Sequence, residues 1–301
     1  MIKVATVKRQ LLIVNFLCLL FFCLPFPVTA QAEDVPRSIN ESTMVGIGGY
    51  NLRDTYLSPS TDINYTGWVA RVLNERMKIV RLADYNVSRQ QLINVEFGST
   101  RNGAETANEY AGFVDYSLGY HYRFLQVLSG LKVLTGASAR LSGGFIYNTR
   151  NSNNPVSGKA DFDLNLSAMA IYNFRIKGFP LTLRYQAEIP FAGVLFSVHK
   201  GEPYYFLTQG SKDGIVRFSS FHNKFAMKNY FTFDIPVSSF TVRVGYLNSM
   251  YRTDVNSIKT HVLSNSFMIG LVKEFVSFGG KRLKSGRYAI QKRILLKIYD
   301  L

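Results

Sequence analysis

The side chains of this sequence that could do chemistry are its four histidines and the hydroxyls and carboxylates near them. In SSFHN, Ser219 to Asn223, Ser220 and His222 stand two residues apart. On an extended segment that spacing puts both side chains on one face, where an imidazole could take the proton of a hydroxyl nucleophile. The imidazole then needs an orienting group, and no acidic residue in the string supplies one. His121 shares a two-residue row with Asp115 and Arg123, which reads as a hydrogen-bonded internal position rather than a base. With His199 and His261 the histidines make no HxxxH or HExxH spacing, so no metal ligand set is predicted. GIGGY, with Gly46, Gly48 and Gly49, lacks the Lys and following helix of a phosphate-binding loop. In a strand such glycines permit close packing or a bend, and no cofactor is expected.

The elements that must position these residues follow from YAGFVDYSLGYHYRF, Tyr110 to Phe124. Tyr110, Gly112, Val114, Tyr116, Leu118, Tyr120, Tyr122 and Phe124 form one row, and Ala111, Phe113, Asp115, Ser117, Gly119, His121 and Arg123 the other. A two-residue period is the signature of a strand with different solvents on its two faces. The same period recurs from Lys159, where Phe162, Leu164, Leu166 and Tyr172 oppose Asp161, Asp163, Asn165 and Arg175. It recurs again where Leu181, Leu183, Tyr185 and Ile189 oppose Thr182, Arg184, Gln186 and Glu188. Weaker versions place Arg71 and Glu75, Glu96, Arg140, Lys228 with Asp234, and Arg243 on polar faces. No long helical period interrupts the series, so the mature chain reads as nearly all β.

The ends differ from the body. Lys3, Lys8 and Arg9 precede LLIVNFLCLLFFCL, which Pro25 and Pro27 break before Ala30-Gln31-Ala32; this reads as a secretory signal peptide over residues 1–32. Both cysteines, Cys18 and Cys23, fall inside it, so the mature chain forms neither a disulfide nor a thiolate metal site. Of the net charge of +15, +3 belongs to this segment and +6 to the residues after Gly280, leaving +6 for the body. That modest value without a basic stripe excludes nucleic acid as the expected partner. The expected divisions are 1–32, a barrel over 33–278 and a basic tail over 279–301. In the tail, Ile290, Ile294, Ile298 and Leu301 keep helical spacing, consistent with either a short amphipathic helix or an extension without fixed structure.

Connections at Leu125 to Gly130, Ile176 to Phe179, Pro236 to Ser239 and Leu82 to Asn86 are short. Those at Ser99 to Asn108, Thr149 to Gly158 and Arg252 to Thr260 are longer and rich in Asn, Ser, Thr and Gly. Short turns on one side and long loops on the other are the habit of transmembrane barrels, with the short turns in the periplasm. The predicted fold is an all-β, transmembrane, antiparallel up-and-down barrel of ten to twelve strands. Its strand count turns on whether Pro190 to Asn223 is an excursion or an added pair. Apolar rows ending in Tyr120, Tyr122 and Phe124, or Tyr172 and Phe174, suit a lipid interface. The rival architecture is a soluble secreted β-barrel binding protein with the apolar row turned inward.

Several strings also resemble a known group. NLRDTYLSP from Asn51, YTGW from Tyr65, PLTLRYQAEIPFAGVLFS, GEPYYF, SSFHN and SFMIGLVKEF are similar to an uncharacterised family of outer-membrane β-barrels from Bacteroidetes. The resemblance spans about Met44 to Phe275 and implies an exported Gram-negative barrel in the cell outer membrane. It implies no reaction and no substrate. One departure is that SFMIGLVKEF is followed by VSFGG and the basic tail, whereas such barrels usually place an aromatic-ended strand at the terminus for the insertion machinery.

The function expected is therefore non-enzymatic: envelope structure, surface binding or small-solute passage, with outer-membrane lipid and the barrel-insertion machinery as partners. The polar constellation expected in the lumen is Arg71, Glu75, Glu96, Asp115, His121, Arg123, Arg140, Asp163, Arg175, Arg184, Glu188 and Arg243. It reads either as a salt-bridge network that fills a narrow barrel or as a polar pore whose arginines favour anions. The alternative is a membrane-embedded lipid hydrolase using Ser220 and His222.

Overall fold

The structure, a computed structural model, describes residues 37–58, 63–210, 213–237, 240–278 and 281–282. The predicted signal peptide and the tail beyond 282 lie outside the described residues. Ten long strands follow one another around a closed antiparallel barrel. They are β1 (Arg37–Asp54), β2 (Tyr65–Val80), β3 (Val87–Asn102), β4 (Asn108–Leu128), β5 (Leu131–Asn148), β6 (Val156–Ile176) and β7 (Phe179–Phe196), then β9 (Lys224–Val237), β10 (Phe240–Val255) and β11 (Ile258–Phe278). β1 pairs β11 over its whole length, from Arg37 opposite Ser277 to Asp54 opposite Thr260, which closes the sheet and leaves no long edge. A short β8 (Val216–Ser219) pairs with the end of β7, and β12 (Lys281–Arg282) pairs with the end of β11.

Both ends of the barrel chain, at Arg37 and Phe278, lie at one end of the cylinder, called here the near end. The near-end connections are tight. β6 and β7 are joined by Lys177 and Gly178, with φ of 50° and 81°, the left-handed pair that matches hairpin twist. The far-end connections are residues 55–64, 103–107, 149–155, 197–223 and 256–257. The expected long loop from Arg252 to Thr260 is corrected: β10 and β11 run on and meet at Asn256 and Ser257, both at positive φ. Polar residues there continue the strand alternation, with Thr253, Val255, Ile258 and Thr260 buried, so polarity marked an emerging hairpin rather than a loop. The loops expected at Ser99–Asn108 and Thr149–Gly158 shorten for the same reason.

The excursion in Pro190 to Asn223 resolves without an added spanning pair. β7 continues to Phe196, residues 197–210 and 213–215 lie outside the strands with a four-residue helix α1 (Tyr205–Thr208), and β8 returns along β7. A register shift in the β6–β7 pairing, where Leu164 faces Ala192 and Asn165 faces Pro190, leaves Phe191 as an extra residue. This bulge reverses which positions of β7 point inward, so Gln186 and Leu195 are both buried.

On β4 the observed faces are those expected: Asp115, Ser117 and His121 are buried inside, while Tyr116, Tyr120, Tyr122 and Phe124 are exposed on the outer wall. The wall is apolar around the barrel, with Ile47, Leu166, Phe267 and Ile269 each more than half exposed. Gly46, Gly48 and Gly49 lie within β1. A Cβ at Gly48 would fall 1.7 Å from the Asn265 carbonyl oxygen, so close approach to β11 explains that glycine.

Candidate functional site

The inward rows converge on a polar interior whose charges pair across the lumen. Glu75 on β2 receives Arg184 Nη2 from β7 at 2.7 Å and Arg243 Nη1 from β10 at 2.8 Å. Arg243 also holds Asp234 at 2.6 Å and donates to Ser42 at 3.0 Å. Gln90 donates to Glu75 and exchanges hydrogen bonds with Gln186. Because β2 and β7 are five positions apart in a ring of ten, the Glu75–Arg184 pair crosses the full width of the barrel.

Two further pairs repeat this bridging. Lys228 on β9 reaches Asp115 on β4 at 2.9 Å, four strands away, and Lys159 on β6 reaches Asp54 on β1 at 2.7 Å, again five away. Between them, Lys224 holds Asp161 at 2.8 Å and Asp163 at 2.7 Å, Arg140 holds Asp163 at 2.7 Å, and Arg71 holds Glu96 at 2.6 Å. Charges removed from water persist only when paired and hydrogen-bonded, and these pairs satisfy one another across a narrow space. His121 is buried with Nε2 2.9 Å from Ser167 Oγ, the hydrogen-bonded internal role read from its row.

Toward the far end the interior changes character. Tyr50, Leu52, Tyr65, Val69, Ala111, Ile146, Ile258 and Val262 form a buried apolar cluster inside the barrel. The external segment closes over it: Val198 joins the cluster, with Tyr204 and Leu207 packed against it. Tyr204 Oη accepts from the Gly158 amide at 2.6 Å, Tyr56 Oη donates to the Glu202 carbonyl at 2.9 Å, and the two rings meet edge-on at 5.7 Å. Burial, with Tyr204 and Asp54 adding to it, pushes the Tyr56 phenol up to about 12. An apolar plug under a tyrosine-pinned cap thus lies above the Glu75 and Asp115 layers, with the Asp54–Lys159 pair beside it at the far end.

Most of the polar residues read from the sequence meet in this interior, with corrections. Arg175 is exposed near the β6–β7 turn and takes no part in the buried network. Arg123 donates to the Tyr85 carbonyl at 3.1 Å, so it pins a near-end connection rather than a carboxylate. Glu188 accepts from Gln186 at 3.2 Å and Ser138 at 3.4 Å. Lys224, Lys159 and Asp54 are the contributors the pattern missed. Extending the row of Lys228, Thr232 and Asp234 backward by two pairs reaches Lys224, which was hidden by its position next to the SSFHN turn.

Ser220 and His222 do meet: Ser220 Oγ lies 2.6 Å from His222 Nδ1. They sit in a turn between β8 and β9, with His222 exposed and Phe218 stacked on its ring at 6.3 Å. Among the described residues no carboxylate contacts the imidazole, and the ionic network meets this turn through the backbone, where the Lys224 amide donates to the Ser220 carbonyl at 2.9 Å.

The family model described as "Protein of unknown function (DUF3316)" matches residues 12–282. The chain belongs to the DUF3316 family. This DUF3316 chain matches no curated protein. Among solved structures it is similar to the outer membrane protease OmpT from Escherichia coli, at 9% identity and TM-score 0.46, covering 81% of this chain and 99% of that one. It is also similar to the transport unit of the autotransporter AIDA-I from Escherichia coli, at 11% identity and TM-score 0.45, covering 86% and 94%. The DUF3316 barrel resembles the translocator domain of autotransporter NalP from Neisseria meningitidis more loosely, at 10% identity and TM-score 0.38, covering 81% and 90%.

Proposed function

We propose that this protein is an outer-membrane barrel with a closed lumen, which works through its surfaces rather than by passing solutes. The near end, with its tight turns, faces the periplasm and the capped far end faces outward. The apolar wall supports lipid as its surrounding solvent, since strands cross a bilayer with apolar residues out and polar residues in. The observation that carries the closed lumen is the set of ion pairs Glu75–Arg184, Asp115–Lys228 and Asp54–Lys159, which bridge the barrel at successive positions. The remaining roles are envelope structure and binding at the outer face. Proteoliposome swelling in small sugars tests this reading: no swelling above protein-free liposomes is expected, and swelling that scales with protein would overturn it.

A second reading rests on one contact, the 2.6 Å approach of Ser220 to His222 beside the exposed Phe218 and Phe221. It makes the protein a lipid hydrolase acting at the rim of the wall. Lipid hydrolysis in proteoliposomes that is lost in His222→Ala would support it; equal background in both proteins would remove it.

A further inference from the structure

Of the seven carboxylates buried inside the barrel among the described residues, six hold a cation. Asp54 has Lys159, Glu75 has Arg184, Glu96 has Arg71, Asp115 has Lys228, and Asp161 and Asp163 share Lys224. Glu109 is the exception. Its side chain is fully buried, Oε1 accepts from Asn148 Nδ2 at 2.9 Å, and Oε2 meets no donor among the described residues. An ionised carboxylate there would be an uncompensated buried charge, and the neutral acid removes that charge.

Glu109 stands at the far-end rim, as the second residue of β4 after the 103–107 connection. At the same level the outer wall is polar, with Arg101 Nε donating to Asn108 Oδ1 at 3.1 Å. β4 has 21 residues, far more than the roughly 9–11 of a membrane crossing, so this polar end of it clears the hydrocarbon layer. Thr100 of β3 and Asn148 of β5 flank Glu109 in register, and the Tyr65 phenol of β2 shares Asn148 with it. The charged groups that face it are Asp54 of β1 and Lys159 of β6. Burial pushes the Glu109 carboxyl up to about 7, aided by Asp54 and opposed by the Asn148 hydrogen bond and Lys159.

Asp54 and Lys159 also hold the cap. Asp54 Oδ1 accepts from the Tyr56 amide at 2.9 Å and Oδ2 from Ser157 Oγ at 2.9 Å, and Tyr56 Oη donates to the Glu202 carbonyl. Lys159 Nζ lies 2.7 Å from Asp54 Oδ2 and donates to Thr260 Oγ1 at 2.8 Å. Its chain neighbour Gly158 donates its amide to Tyr204. Both tyrosine posts of the cap therefore stand on the Asp54–Lys159 pair or beside it.

We propose that Glu109, Lys159 and Asp54 form a proton-operated latch that sets how firmly the cap is held. With Glu109 neutral, Lys159 belongs to Asp54 and both posts are fixed. When Glu109 gives its proton to water, a second buried anion competes for the same ammonium, Lys159 is drawn from Asp54, and the cap loosens. The Glu109 carboxyl is raised in the closed state, so its contribution to closure is complete below the ordinary value of 4.5 and is lost as pH rises through about 7. The latch regulates the outer face and rests on the capped, closed barrel proposed above. The Glu75–Arg184 and Asp115–Lys228 bridges keep the lumen shut whichever way the latch stands.

Hydrogen–deuterium exchange of the full chain in detergent micelles, read on peptides from residues 197–210, tests the latch. Wild type is compared at each pH with Glu109→Gln, which cannot ionise, so that intrinsic exchange rates cancel. Equal protection is expected at about pH 4, and above about pH 7 the wild-type cap should exchange roughly ten- to a hundredfold faster than the variant. A ratio that stays constant across that window overturns the proposal, and so does a wild-type cap that tightens as pH rises. Heat-dependent gel mobility reports folding; if Glu109→Gln does not fold, Glu109→Met, which also cannot ionise, replaces it. Wild-type protection that stays level after correction for intrinsic rates overturns the latch without any variant. Steady channel conductance by the wild type at about pH 4, where the cap is held, would instead overturn the closed-lumen reading.

Discussion

Glu75 and Arg184 meet at 2.7 Å from strands on opposite sides of the barrel, and Arg243 closes on the same carboxylate at 2.8 Å. One carboxylate thus bridges two buried guanidiniums, of which Arg243 also holds Asp234. Glu75→Ala takes from Arg184 its carboxylate and leaves Arg243 with Asp234 alone, a loss of the kind that costs about 3–5 kcal/mol. The expected result is a lower urea midpoint for the detergent-folded barrel, with Glu75→Gln falling between because it still accepts hydrogen bonds. An unchanged midpoint in Glu75→Ala contradicts the ionic layer described here.

The Asp115–Lys228 bridge predicts non-additivity. Either Asp115→Leu or Lys228→Met strands the other charge inside, whereas the double variant removes both charges and leaves none uncompensated. A double-mutant cycle by urea unfolding is expected to show the double variant less destabilised than the sum of the singles, by roughly 1–3 kcal/mol. Additive effects would mean that the two side chains do not act as a pair.

The apolar wall, proposed above to face lipid, predicts an environment-dependent cost. Ile47 is 65% exposed at the middle of the outward row of β1. Ile47→Arg puts a cation against acyl chains and is expected to destabilise the barrel by about 2–4 kcal/mol when it is folded in a bilayer. A soluble barrel would accept the same arginine at an exposed position with almost no change. Unfolding of the two proteins in lipid vesicles distinguishes these outcomes.

The cap predicts a base-sensitive closure. The Tyr56 phenol, buried under Glu202 and Tyr204, is held neutral up to about 12 in the closed state, while an opened cap exposes it with an ordinary value near 10. Its contribution to closure is therefore complete below pH 10 and declines as pH rises from 10 toward 12. Cleavage of residues 197–215 by a protease active in base is expected to accelerate over that window in the wild type. Tyr56→Phe has no phenol to ionise and should lack that acceleration.

Much of this fold was legible because the two faces of each strand meet different surroundings. On β4, the Tyr-rich row and the Asp115, Ser117, His121 and Arg123 row separate by alternation alone, and the outward and inward positions follow. The pattern fails where the two faces of a strand stop differing in polarity. Toward this end of the barrel both faces of a strand carry polar residues, Thr253 and Thr260 inward and Arg252 and Lys259 outward, so the hairpin at Asn256 and Ser257 read as part of a long loop. The Phe191 bulge shifts the parity of β7, and nothing in a two-residue period announces an inserted residue. Inward positions near the far end also turn apolar, as Tyr50, Leu52 and Val69 do, which a polar-lumen rule does not anticipate. Partners across the lumen were the least legible part. Lys159 and Asp54 come from strands on opposite walls, and only closure of the ring by β1 and β11 brings them together.

Planar-bilayer conductance of the full barrel is the most direct measurement of the closed lumen. The wild type is expected to give no steady channels at any polarity. The combined Asp54→Ala/Glu75→Ala/Asp115→Ala variant, which removes the anion from each cross-barrel bridge, should give measurable current wherever gel mobility shows that it has folded. Steady, unitary conductance steps from the wild-type protein would contradict the account.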